Sequence, residues 1–204
     1  MKERPILFNT EMVRVILDGK KTQTRRIIKR PKDIPSEYEI NTSVLDDKAT
    51  AWWENPKYKS VGYSQKCPYG VIGDRLWVRE TWQKGQSNGK DLVLFYKADN
   101  DPRDINFTWK PSIYMPRWAS RINLEITNIR VERVQNIIDN DALAEGVNQN
   151  MLASFGFASA ESKEKFNFTQ AIKTYKLLWN SINAKRGFGW DANPWVWVIE
   201  FKRV

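Results

Sequence analysis

Three observations predict an α+β fold, mostly strand with three helices, in one domain spanning residues 1–204. Apolar residues alternate over several short runs, three segments show helical spacing, and no Pro/Gly-rich linker divides the chain. At the start, Asn9 or Thr10 is placed to cap a helix carrying Met12, Val13, Ile16 and Leu17, and Gly19 stops it. Lys20 to Ile28 follows as a turn entering a strand, with Thr22, Thr24 and Arg26 on one face and Gln23 and Arg25 on the other. Residues 30–66 show little periodicity and carry three prolines and the Trp52-Trp53 pair, the pattern of a long insertion.

Pro68-Tyr69-Gly70 and Gly73-Asp74 are turn signals that introduce a strand from Arg75 to Thr81. Leu92 to Ala98 predicts the next strand, and Asp99-Asn100-Asp101-Pro102 a turn within a loop over about 99–118. Ser120 to Val134 alternates as one or two strands. Asp139 or Asn140 then caps a short helix, Ala142 to Glu145, ended by Gly146. The strongest helix spans about 164–183, with Phe168, Ile172, Tyr175, Trp179 and Ile182 as its apolar stripe. Trp195 to Phe201 is apolar on both faces and is expected as a central, buried strand.

Composition narrows the chemistry. The 204 residues include no histidine and one cysteine, Cys67. A His-based nucleophile pair, a disulfide framework and a zinc centre are thereby excluded, so no metal and no cofactor is expected. Catalysis would have to run on Lys, Thr, Tyr, Arg and carboxylates. The net charge of +9 and the ten tryptophans suit a polyanionic, base-bearing partner, although most tryptophans fill cores. No apolar run is long enough for a membrane span and no signal-peptide core is seen, so a cytoplasmic location without membrane association is expected.

Three motifs in order carry a family resemblance. They are Ile16-Leu17-Asp18-Gly19-Lys20-Lys21-Thr22-Gln23-Thr24-Arg25-Arg26, Gly73-Asp74-Arg75-Leu76-Trp77-Val78 and Asp141-Ala142-Leu143-Ala144-Glu145-Gly146, followed by the closing Trp197-Val198-Ile199-Glu200-Phe201. Together they resemble the ASCH domain of the PUA-like superfamily, in its longer bacteriophage or prophage-type subgroup. That resemblance implies a PUA-like β-barrel with flanking helices. It also implies a partner that is a nucleoside, RNA or single-stranded nucleic acid. Some small ASCH members are amidohydrolases acting on 4-N-acetylcytidine, and their catalytic Lys, Thr and Glu fall on Lys21, Thr24 and Glu145.

Chemistry supports such a set. A Thr hydroxyl becomes a nucleophile when a base takes its proton, and a lysine becomes that base when burial or neighbouring cations depress its pKa. Lys20, Arg25, Arg26, Arg79 and Glu80 are candidate nucleotide- or nucleic-acid-binding residues. Trp52, Trp53, Trp82, Tyr114 and Trp118 are candidate stacking side chains. Against these stand plainer readings: a solvated basic face over 20–32, ordinary strand threonines, an ion pair at Arg79-Glu80, and tryptophans packed in the core. Three functions remain open at this stage. One is binding of a modified nucleoside or exposed base with N-acyl amide hydrolysis. The others are a non-catalytic RNA- or single-stranded-DNA-binding module and a metal-independent ribonuclease.

Overall fold

The computed structural model describes residues 1–41, 49–87, 91–99, 108–156 and 168–204. Its class is α+β. The centre is a five-stranded sheet of β1 (Glu3–Leu7), β6 (Arg75–Arg79), β9 (Asn123–Arg133), β10 (Trp195–Arg203) and β2 (Gln23–Ile27), in that spatial order. β1 runs parallel to β6, and every other ladder of this sheet is antiparallel.

As expected from its two apolar faces, β10 lies inside the sheet, with Val196, Trp197, Val198, Ile199 and Phe201 buried. β9 is a single eleven-residue strand, and a register shift in the ladder at Glu200/Phe201 lets its long partner bend. Among the described residues the sheet does not close into a barrel: β1 and β2 are its edges and share no ladder. A side-chain link joins them instead, where Arg26 donates to the Leu7 carbonyl at 2.7 Å.

The described residues within 30–66 form more strand than their sequence suggests. β3 (Glu39–Asn41), β4 (Thr50–Asn55) and β5 (Ser60–Lys66) form an antiparallel meander. Ile40, Ala51 and Trp53 from this unit join the main core. Its alternation is hidden in sequence because Trp52 and Trp53 are adjacent and equally apolar, although only Trp53 is fully buried. A separate hairpin, β7 (Trp82–Ser87) and β8 (Asp91–Tyr96), packs on a smaller cluster of Trp82, Met115 and Ala119. The first half of the expected 99–118 loop, and the first turn of the expected long helix, lie outside the described residues.

Among the described residues four α-helices flank the strands. α1 (Thr10–Leu17) is capped by Asn9, whose side chain accepts from the Met12 amide at 2.8 Å. α2 (Asp139–Ala144) starts after Ile138, which supplies no side-chain cap; Asp139 is already helical, contrary to expectation. α3 (Gln149–Ser154) has no strong apolar stripe and escaped the sequence pattern. α4 (Phe168–Asn183) buries Ala171, Thr174, Tyr175 and Trp179, while Ile182 of the expected stripe is exposed. None of the helices is long and apolar enough to cross a membrane.

Asp74, at the turn before β6, holds the N-terminal strand in register. Its carboxylate accepts from the Lys2 amide at 2.7 Å, from Arg4 at 2.9 Å and from the Val71 amide at 3.3 Å. The Lys2 amide is the main reason its carboxyl sits below the ordinary range. A depressed carboxylate contributes stability above its unfolded pKa, and that contribution is lost as pH falls through the lower folded value. Asp74→Asn is therefore expected to cost about 1–3 kcal/mol near neutral pH. The penalty should shrink below about pH 4, which urea melts across pH 3–8 would measure.

Candidate functional site

The turn between α1 and β2 is pinned on three sides. Gly19 takes φ +71°, and the amides of Lys20 and Lys21 both donate to the Val15 carbonyl, at 2.9 and 3.0 Å. The Thr22 amide donates to the Ala144 carbonyl at 2.9 Å, and the Phe201 amide donates to the Thr22 carbonyl at 2.9 Å. Gly146 completes the fit. It takes φ +85°, and a β-carbon there would stand 2.8 Å from Val15 and 3.0 Å from the Lys21 β-carbon. A side chain at 146 would push α2 off the turn.

This docking buries Lys21 and Glu145, at 3% and 4% exposure. Lys21 Nζ donates to the Glu145 carboxylate at 2.8 Å and to the Glu145 backbone carbonyl at 2.7 Å. Glu145 is the C-cap of α2, where a helix dipole disfavours an anion, so the lysine and a neighbouring arginine are what hold it there. Burial is the largest influence on Lys21 and draws its pKa below the ordinary lysine value, partly offset by Glu145.

Arg25 is spent on structure. Its guanidinium donates to Gln23 at 2.6 Å, to Asp141 at 2.7 Å, to Glu145 at 3.3 Å, and through two nitrogens to Glu132. Burial works against its charge, but Glu145 and the other carboxylates raise its pKa above the usual arginine value. Arg130 extends the network to Glu132, Asp141 and Glu200. With its fork saturated by carboxylates, Arg25 is not the phosphate ligand that the sequence suggested.

Lys21, Thr24, Arg25, Arg26 and Glu145 all line one cleft of about 680 Å³. Its walls are the start of α1, the strand β2 and the inner face of α4. The Thr24 hydroxyl is without a hydrogen-bond partner among the described residues, although the residue is 4% exposed. Arg26 lies 5.0 Å from the Phe8 ring, which also faces Lys21 at 5.7 Å. Tyr175 borders the same space at 3% exposure, with Arg25 5.8 Å from its ring. Burial and then Glu145 raise the Tyr175 phenol well above its ordinary pKa, so it remains a neutral donor.

The other sequence candidates lie elsewhere. Lys20 is exposed, pairs with Asp18 at 3.2 Å, and borders a separate hollow of about 410 Å³ between α1 and α3. Arg79 donates to the Met115 carbonyl at 2.9 Å. Glu80 is buried and forms a two-pronged pair with Arg121 at 3.0 and 3.1 Å, and Arg121 also holds Asp99. That is the ion-pair alternative for Glu80, away from the cleft. Trp53 is in the core with Arg30 over its ring at 4.7 Å, and the Trp52 indole nitrogen is buried without a partner. Neither lines the cleft.

Tyr114 and Trp118 are different, at 71% and 59% exposure. They flank Met115, which is fully buried and anchors the turn that carries them. Trp118 meets Trp82 edge-on at 5.8 Å, Lys84 stands 5.7 Å from Trp118, and Lys110 stands 5.3 Å from Trp82. Ser112, in the same turn, lines the cleft.

Sequence reasoning missed Asp141 and Tyr175. Asp141 precedes Glu145 by four residues, so both carboxylates share one helix face, a spacing that could have flagged it. Tyr175 sat within an apolar stripe and carried no separate signal.

Fold and site together define an α+β protein whose sheet edge and last helix enclose a cleft around a buried Lys-Glu pair. Compared with known proteins, the chain matches no family model, no curated protein and no solved structure.

The two adjacent arginines should separate cleanly. Arg25→Met removes the guanidinium shared by Glu132, Asp141 and Glu145, leaving Arg130 and Lys21 to hold them, and is expected to cost at most about 3–5 kcal/mol in denaturant melts. Arg26→Met leaves no buried carboxylate unpaired and is expected to cost about 1 kcal/mol or less.

Proposed function

We propose that the cleft binds a modified nucleoside or an exposed base and hydrolyses an N-acyl amide on cytidine. The observation that carries this reading is the pair of hydrogen bonds made by Lys21 Nζ. A neutral lysine amine has two N–H donors and one lone pair. Here the two donors meet the Glu145 carboxylate and carbonyl, at 2.8 and 2.7 Å, which leaves the lone pair as the remaining hydrogen-bonding direction. Burial favours that neutral form. The resemblance of the Gly19–Arg26 and Asp141–Gly146 segments to ASCH amidohydrolases supports the same assignment, and with it a PUA-like relationship for the open sheet.

In this reading Thr24 Oγ1 attacks the acyl carbonyl carbon and gives its proton to Lys21. Lys21 then protonates the exocyclic nitrogen as the C–N bond breaks, which frees the cytidine amine. Water cleaves the acyl-threonine, releases the carboxylic acid and restores the hydroxyl. Glu145 positions Lys21 through its carboxylate and carbonyl.

Chromatographic assay of 4-N-acetylcytidine turnover tests the scheme. Thr24→Val and Lys21→Met are each expected to lower kcat by about 10²–10⁴-fold. For the active protein, kcat should rise with pH through a Lys21 pKa lying below the ordinary value of about 10.4, because the unprotonated amine is the working form. Absence of turnover, or turnover indifferent to both substitutions, would falsify the catalytic assignment.

A second reading, a module that binds single-stranded nucleic acid, is favoured by one observation: Tyr114 and Trp118 stand exposed, with Lys84 over the Trp118 ring and Lys110 over the adjoining Trp82. Base stacking on such rings contributes about 1–3 kcal/mol per base. Trp118→Ala is accordingly expected to weaken binding of a short single strand about tenfold or more, measured by fluorescence anisotropy. Affinity unchanged in that variant would remove the stacking role.

A further inference from the structure

The cations of the cleft divide into two sets. Lys21 and Arg25 spend their donors on Glu145, Asp141, Glu132 and Gln23, so neither is left to hold an anion. Arg26, Lys29 and Arg186 line the same cleft and form no ion pair among the described residues. Arg26 gives one terminal nitrogen to the Leu7 carbonyl and leaves the other unbonded. Lys29 is exposed, and Arg186 reaches only the neutral Asn183 amide oxygen, at 3.5 Å. Apart from Glu145, the lining has one carboxylate, Glu11. The cleft therefore presents surplus positive charge where its inner pair is already compensated.

A second observation points to a ligand in the same space. Tyr175 is 97% buried by its 3% exposure, and its hydroxyl has no hydrogen-bond partner among the described residues. Unlike the Trp52 and Trp53 indole nitrogens, which are sealed in without a partner, this hydroxyl keeps an accessible face that opens on the cleft as a free donor. Since Tyr175 borders the cleft, an acceptor on a bound ligand would meet that donor there. A volume of about 680 Å³ accommodates a nucleoside with a further substituent.

We propose that the cleft takes its nucleoside as a phosphate ester, with the phosphate held by Arg26, Lys29 and Arg186 and an oxygen of the ligand accepting from Tyr175. This rests on the nucleoside reading of the cleft but not on hydrolysis. The phosphate is either the monoester of a free nucleotide or the diester of a strand, and both present the same anionic oxygens to the same three cations.

Calorimetric titration with cytidine, cytidine 5′-monophosphate and a cytidine trinucleotide tests it without any acyl group. The monophosphate is expected to bind about tenfold tighter than cytidine at low salt, with the advantage shrinking as salt is added. Lys29→Glu with Arg186→Glu should abolish that advantage and leave cytidine affinity unchanged. Tyr175→Phe, which keeps the ring and its packing, should weaken cytidine and its monophosphate alike at an unchanged melting temperature. A trinucleotide that binds tighter than the monophosphate assigns the phosphate to a strand, and the reverse order assigns it to a free nucleotide. Equal affinity for cytidine and its monophosphate overturns the phosphate site, whereas failure of both to bind overturns the nucleoside reading itself. Loss of deacylase turnover with the monophosphate preference intact would reject the hydrolytic scheme alone.

Discussion

The carboxylate of Glu145, set at the unfavourable end of a short helix and buried, needs hydrogen-bond donors beside it, and Lys21 and Arg25 supply them. Their arrival fixes much of the surrounding geometry. Lys21 lies two residues after Gly19 in the turn leaving α1, so holding it on Glu145 sets the angle between α1 and α2. Arg25 lies in the edge strand β2, and its bonds to Glu132 on β9 and Asp141 on α2 tie strand, sheet and helix together. Buried ion pairs contribute little net stability when compared with well-packed apolar groups, but removing one partner is costly. The arrangement thus specifies where α2 must dock more than it adds to the depth of the folded state.

The same constraint creates the cleft. With α2 held against the turn, α4 packs on α2 and presents Tyr175 and Trp179 to the space above β2. The sheet ends at β2 without closing on β1, and Arg26 spans the two edges by reaching Leu7. A closed barrel would fill that gap with a backbone ladder. The open edge leaves it lined by side chains, which is what a ligand can use.

Adjacent residues acquire opposite roles through strand geometry. Gln23 and Arg25 point into the carboxylate network, while Arg26, one residue on, lies over Phe8 with donor capacity left. That alternation was legible in the sequence, as were α1, the buried β10 and the short helix bearing Glu145. Which arginine would be consumed was not legible, because Glu132 and Asp141 lie more than a hundred residues downstream and nothing local announces them. The meander over 30–66 was missed for a related reason. Its core contacts are long-range, and the adjacent tryptophans blur the period of two on which a strand reading depends. Tyr175 was hidden differently: at helical spacing a cleft-facing phenol and a core phenol look alike, and only the missing partner of its hydroxyl tells them apart.

The charge of the whole chain takes on a different meaning once the network is known. A surplus of basic residues suggests a diffuse affinity for polyanions. Around the cleft the inner cations are neutralised by carboxylates, so any attraction for an anion comes from the rim and not from the Lys21–Arg25 interior. An arrangement of this kind separates two tasks that a uniformly basic pocket would confuse. Phosphate left near Lys21 would stabilise its protonated form and oppose its use as a base. In the proposed scheme Arg26, Lys29 and Arg186 hold the anion, so no second negative charge joins Glu145 beside Lys21, and burial with the neighbouring Arg25 and Arg26 is left to favour the neutral amine.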